Sequence, residues 1–354
     1  MTNKRIYNFF LFLSTLTRSL VEVFSVILLY NKGYSINNIL FFLLVMYLSG
    51  ILVNYLSLII NYKIVLVFSI LLYGISYVYL SFMGNSLINL IVFAIILSFS
   101  SYSYHAIRHS LALHLIDYNK GKNINKFLII TYIAVMISNV IGIFLIEKLP
   151  ILVTGIVILV LSFISVGPVL KLKNIKKEKI NLSKVIINKN KVFFNILEQF
   201  KVILLELQPL YLYIYVKKSI SYVGTFNILI NLASLIVMLF ISKRVTNKYF
   251  KYINILLGIT LIFKFNINNS LILLLIALFE GIGIKLYEKF SLNNLYDVER
   301  SNINPYLIVE EFIFFISKSI LMLVFILLVR DLKLILYICI LGIIISGFFI
   351  KDTN

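Results

Sequence analysis

The chain has 354 residues, of which 61% are hydrophobic and 13% charged. A soluble domain is about 45–50% apolar and about 25% charged, so no soluble fold of this length has interior enough for the surplus of Ile, Leu, Phe and Val, which must face lipid. A formal net charge of +19 would suit a nucleic-acid binder, but the lysines and arginines sit mainly in short loops between apolar runs, the positive-inside pattern of a membrane protein, which excludes that class.

A helix that crosses a bilayer needs about 20 mainly apolar residues. In chain order, twelve such segments are predicted: 7–30, 36–60, 63–82, 87–108, 127–147, 150–170, 192–216, 220–242, 250–266, 269–289, 306–329 and 331–350. The opening MTNKR leads straight into an apolar stretch too long for a signal-peptide core and without a small-residue cleavage site. The lone cysteine, Cys339, lies in the last segment and reads as a small buried apolar residue, so no disulfide framework or Cys-based metal site is expected. Abundant Ile, Lys, Asn, Tyr and Phe with no Trp read as the codon bias of an AT-rich, bacterial genome.

Orientation follows from the connections. With the N-terminus in the cytoplasm, the inside connections carry 20 Lys and Arg and the outside ones 7. The bias predicts a multi-pass plasma-membrane protein with both termini cytoplasmic. KLKNIKKEKINLSKVIINKNK (171–191) is the one long polar connection, and it falls almost at the midpoint. Its lysines read as a cytoplasmic linker that sets topology and touches anionic lipid, or as a docking segment.

An internal repeat supports this division. Residues 115–138 can be laid over 295–317 with one single-residue gap, placing Asp117 on Asp297, Asn123-Ile124-Asn125 on Asn302-Ile303-Asn304, and Leu128-Ile129 on Leu307-Ile308. Both copies occupy the connection from the fourth to the fifth helix of a half. Two six-helix halves related by a parallel repeat are a known transporter plan.

The whole length thus resembles the major facilitator superfamily: six helices, a basic central loop, six helices, both termini inside. KGYSINNILFFLLVMYLSGILV (32–53) looks like the first external loop and second helix of members, with Ser35 placed to cap the helix. ISKRVTNKYFK (241–251) looks like the loop between helices eight and nine, and PYLIVEEFIFFISKS (305–319) resembles helix eleven of some Gram-positive members. The loop signature between helices two and three is reduced to INYK (60–63), and the fourth-helix basic motif to Arg108. Of the fifth-helix Gly-Pro signature only Gly142 is left.

The resemblance implies an all-α membrane fold with about 12 transmembrane helices in two pseudo-symmetric halves, 1–170 and 192–354, joined by the linker. It further implies a monomeric secondary transporter working by alternating access on a small, amphipathic solute, with a proton gradient as energy source and export favoured. No cofactor or nucleic-acid partner is expected. No Gly-Lys-Ser/Thr nucleotide loop is present, so ATP is not the direct energy source, and no loop carries a dense polar set of the kind an enzyme needs. The alternative is a non-transporting relative, such as a sensor, scaffold or immunity factor, which the degenerate INYK loop motivates.

Charges inside spans are expensive and mark pathways or structural pairs. All four Asp fall in loops or tails, while Glu22, Glu198, Glu206, Glu280, Glu310 and Glu311 fall in predicted helices. Arg18 and Glu22, spaced i,i+4, should share one face of the first helix as a substrate or proton site, or as a structural ion pair. A Glu desolvated there could load and unload a proton.

In the seventh helix, Glu198 and Lys201 at i,i+3 read as a local pair, and Glu206 as a coupling or substrate group. Pro209 one turn on should kink the helix. Glu280 is a further coupling candidate. Gly281 and Gly283 beside it should admit a neighbouring helix. Lys318 is the expected partner of Glu280 or Glu311. Glu310 and Glu311 are expected to begin their helix, where negative charge suits the dipole. His105 and His109 match a two-His spacing with no carboxylate nearby to complete a metal set, so they read with Arg108 as a cytoplasmic gate in which Arg108 pairs a carboxylate.

Overall fold

The computed structural model describes residues 3–115, 121–172, 189–240, 249–267, 269–296 and 303–348. All regular structure among them is helical. The first span is α1 (Asn3–Ser19), a short 3-10 turn (Glu22–Phe24) and α2 (Ser25–Asn31). There follow α3 (Ile36–Ile59), α4 (Tyr62–Phe82), α5 (Leu87–Leu115), α6 (Gly121–Lys148) and α7 (Ile151–Lys171). Then come α8 (Lys189–Tyr211), α9 (Ile220–Phe240), α10 (Phe250–Asn266), α11 (Ser270–Tyr296), α12 (Ile303–Val324) and α13 (Leu332–Ser346). All twelve predicted segments correspond to helices. Most of the linker, 173–188, lies outside the described residues.

Nine of these spans are long and apolar enough to cross a bilayer. The protein is a multi-pass membrane protein. Span α8 is not among the nine, because Asn195, Glu198, Gln199, Lys201, Glu206 and Gln208 interrupt it. Large apolar side chains such as Phe82, Phe240 and Leu328 are mostly exposed, as a lipid-facing surface requires.

Local chemistry sets the helix ends. Ser35 Oγ accepts from the Asn38 N–H at 3.2 Å and caps α3, as the sequence predicts. Asn61 does the same for α4, and Asp331 for α13. Beyond Pro209 the α-helical register of α8 gives way to a wider turn, Leu212–Val216, closed by Lys217 N–H on the Leu212 carbonyl at 3.0 Å.

The first span is not continuous. Residues 20–21 turn, and Leu20 turns its carbonyl against Gly142 of α6, where any Cβ would collide with that oxygen. This break overturns the expected shared face of Arg18 and Glu22: the change of helical register between them removes the i,i+4 relation.

Packing follows two matching patterns. In the first group of six spans, α4 packs on α7 and α5, α3 on α5, and α1 on α6 and α7. In the second, α10 packs on α13 and α11, α9 on α11, and α8 on α12 and α13. Span for span these are the same neighbours. The groups meet through α3 against α12 and α6 against α9, the second span of each against the fifth of the other. That reciprocity is what a two-fold relation produces. Gly281 lets α11 approach the Ile230 carbonyl of α9, and Gly283 accommodates Leu257 of α10, as the sequence anticipates.

Candidate functional site

A cavity of about 700 Å³ lies between the two groups of helices. Both groups line it. On α5 the lining residues are Ser101, Tyr102 and His105; on α8, Glu198, Lys201, Leu205, Glu206 and Pro209; on α12, Glu311, Phe315 and Lys318. Within each set the steps are of one, three or four positions, so one face of each helix borders the space. The break in the first span adds Ser19, Glu22, Val23 and Val26.

At the wall, the Tyr47 hydroxyl of α3 donates a short hydrogen bond to a carboxylate oxygen of the lining residue Glu206 on α8. The Lys318 ammonium lies 5.2 Å from the Tyr47 ring centroid and 5.5 Å from that of Phe315. Tyr102 and Phe315 meet edge to face at 4.5 Å. These contacts join a phenol, a carboxylate and an ammonium from both groups of spans at one level. Among the described residues Lys318 is in no ion pair.

Glu22 is exposed to the cavity. Arg18 sits behind the wall. Its guanidinium lies between the rings of Tyr73 and Tyr104, 4.4 Å from each centroid, and donates to Ser101 Oγ at 2.8 Å and Ser100 Oγ at 3.4 Å. No ion pair links Arg18 to Glu22. Two ring faces and two hydroxyls take the place of the predicted carboxylate.

Glu280 does not line the cavity. It forms an ion pair with Lys264 of α10, at 3.0 and 2.9 Å, in which neither side chain is exposed. The expected pairing of Lys318 with Glu280 is therefore corrected, since α10 brings Lys264 to Glu280; of the two expected partners, Glu311 is the one that shares the cavity wall with Lys318 and feels its charge. Glu198 and Lys201 pair at 3.2 Å, as their spacing predicts.

Glu310 accepts from Asn195 at 3.3 Å and from Tyr306 at 3.2 Å. Because α12 starts at Ile303, Glu310 and Glu311 lie two turns inside it, and the helix-terminus account of them falls. The guanidinium of Arg108 lies 5.6 Å from the Tyr104 ring centroid, and among the described residues it enters no ion pair, in place of the predicted carboxylate contact. His105 lines the cavity; the side chains of His109 and His114 lie outside the described residues.

Three further links cross between the groups, the first with a lysine of the same helix beside it. Tyr132 of α6 donates to Glu288 of α11 at 2.7 Å, and Lys285 pairs with Glu288 at 3.2 Å. At the opposite end of the bundle, Glu147 accepts from the Ser221 N–H at 2.7 Å and Oγ at 2.6 Å, and Tyr213 donates to Asn31 at 3.0 Å. Tyr213 reads from the sequence as an interfacial anchor with Tyr211 and Tyr215, whereas nothing in the sequence marks Tyr47 or Tyr132, since an intramembrane Tyr is unremarkable until its partner is known. Gln199 and Gln208 were detectable as amides within a span.

No protein-family model matches the chain, and no curated protein sequence matches it. Solved structures do. A bacterial homologue of the iron transporter ferroportin in an outward-facing state aligns at a TM-score of 0.70 and 14% identity, over 99% of this chain and 98% of that one. The human organic anion transporter MFSD10 (TETRAN) aligns at 0.71 and 11%, over 99% and 100%. The nucleoside transporter NupG aligns at 0.70 and 12%, over 98% of both chains. The chain has the major facilitator fold. In that fold the cavity lies between two six-helix halves, and the links at its two ends join one half to the other.

Proposed function

We propose that the protein is a secondary active transporter of the major facilitator superfamily. It moves a small amphipathic solute by alternating access and couples that movement to protons. The observation that carries this reading is the Tyr47–Glu206 contact: a carboxylate on one half, held by a phenol of the other, in the wall of a cavity of about 700 Å³. A cavity of this size holds a drug-sized solute. Rocking one half against the other makes and breaks that contact, so the protonation of Glu206 is tied to the conformational change. Glu22, exposed in the same cavity, is a second proton carrier. The protein resides in the plasma membrane as a monomer with both termini cytoplasmic, and works in the export direction.

Reconstitution into liposomes tests this. A panel of amphipathic solutes should show flux driven by a pH gradient, and Glu206→Gln should abolish the dependence on the gradient. If Glu22→Gln and Glu206→Gln both leave flux and its pH dependence unchanged, the coupling assignment is wrong. Absence of gradient-driven flux across the panel favours the non-transporting alternative.

A further inference from the structure

Acidic residues are scarce in this chain, 14 against 33 Lys and Arg. In the cavity the balance reverses. Glu22, Glu198, Glu206, Glu288, Glu310 and Glu311 line it, with Lys201 and Lys318 as the basic side chains among the described lining residues. Four of these carboxylates are engaged. Glu198 pairs with Lys201 and Glu288 with Lys285, Tyr47 donates to Glu206, and Asn195 and Tyr306 donate to Glu310. Glu22 and Glu311 accept no hydrogen bond and enter no ion pair among the described residues. Three lysines, Lys201, Lys285 and Lys318, stand against these six carboxylates, so the wall carries a negative surplus that a cation from outside the chain would balance.

Two amide oxygens point to the same kind of ligand. Gln199 is 1% exposed and Gln208 4%, both line the cavity, and the Oε1 of each has no hydrogen-bond donor. For Gln199 the amide orientation is fixed, because its Nε2 donates to the Asn195 carbonyl at 2.7 Å. Val26, Met46, Phe226 and the Tyr102–Phe315 pair give the wall an apolar and aromatic stretch, beside polar residues such as Asn227, Asn231 and Ser234. Aromatic faces suit ammonium groups, and the volume suits a drug-sized body. A bare metal ion fits poorly: among the described residues no three His, Cys, Asp or Glu side chains converge on one point.

We propose that this cavity binds organic ammonium ions, with the cationic head at Glu22 and Glu311 and an apolar body along the aromatic wall. This substrate class rests on the transporter reading, but its test separates the two.

Three dansyl compounds share one body and differ in the charge of the tail: dansylcadaverine (cationic), dansyl-6-aminohexanoate (anionic) and dansylhexylamine (neutral). Each is titrated by emission shift into the purified full chain in nanodiscs, with protein-free nanodiscs subtracted. The cation should bind at least about tenfold more tightly than the other two. The double variant Glu22→Gln/Glu311→Gln should reduce that preference by at least about tenfold, the equivalent of about 1.4 kcal/mol. The ratio is taken on one sample, so a misfolded variant is recognised because it loses all three ligands.

Equal affinity for the three compounds, or an unchanged preference in a variant that still binds them, overturns the proposal. So does tight Mn2+ binding without preference for the ammonium. Preferential cation binding with no gradient-driven accumulation in liposomes supports the substrate class and refutes transport.

Discussion

Tyr47 and Glu206 lie 159 positions apart and on different halves of the bundle, yet the phenol of one donates to the carboxylate of the other. Glu206→Gln keeps the shape and the hydrogen-bonding capacity of the side chain while removing its proton chemistry. We expect proton-driven accumulation to fall by at least about tenfold, while solute exchange with no net proton movement persists. Tyr47→Phe should leave coupling in place and weaken its control, at a cost of about 1.5–3 kcal/mol for a hydrogen bond to a charged group. Parallel accumulation and counterflow assays separate the two effects.

Lys264 and Glu280 form a pair from which water is fully excluded, and both are absent from the cavity wall. Removing one partner leaves a bare charge in a low-dielectric interior. Lys264→Met should therefore cost about 3–5 kcal/mol, while the double change Lys264→Met/Glu280→Leu should restore most of it. Thermal unfolding in detergent measures this. The double variant should retain the wild-type preference among charged ligands, because the pair lies behind the wall and lines no part of the cavity.

Gly142 faces the Leu20 carbonyl at the break in the first span, while a Cβ on Gly167 would meet nothing within 4 Å. Gly142→Ala should destabilise by about 1–3 kcal/mol, since a backbone atom cannot swing aside. Gly167→Ala should be neutral or slightly stabilising, because alanine favours the helix. The difference in thermal midpoint between these variants reports on the broken helix directly.

How far the sequence foretells this arrangement depends on where each cause lies. The spans are legible because their cause is local: an apolar run long enough to meet lipid needs no knowledge of the neighbours. The start of α12 is missed because Asn302, Asn304 and Pro305 read as a loop. The helix begins at Ile303, and Pro305 sits in its first turn, where no backbone donor is needed. The break after Ser19 is illegible, since the interrupted segment holds no Gly or Pro and the residue that makes room for it, Gly142, is on another helix. Misplacing that break is what joined Arg18 to Glu22. Glu206 stands out as a carboxylate deep in a span, but its phenol comes from the other half, and long-range pairing leaves no periodic trace.

Buried Cys339 is the chain's one cysteine, so pairs of new cysteines can be introduced without removing any other. Glu147 on α6 is exposed and Ser221 on α9 half-buried, and Glu147 accepts two hydrogen bonds from Ser221, at 2.7 and 2.6 Å, across the junction of the halves. If the halves rock, this junction must open once per cycle. Glu147→Cys/Ser221→Cys should cross-link under oxidation, abolish flux, and recover it on reduction, whereas either single variant should keep most of its activity. Ligand binding to the cross-linked protein should persist, because the cavity is intact on the side away from the bridge. Full flux through an oxidised and demonstrably cross-linked protein would mean that this end of the bundle does not open during transport, and alternating access about the Tyr47–Glu206 contact would have to be abandoned.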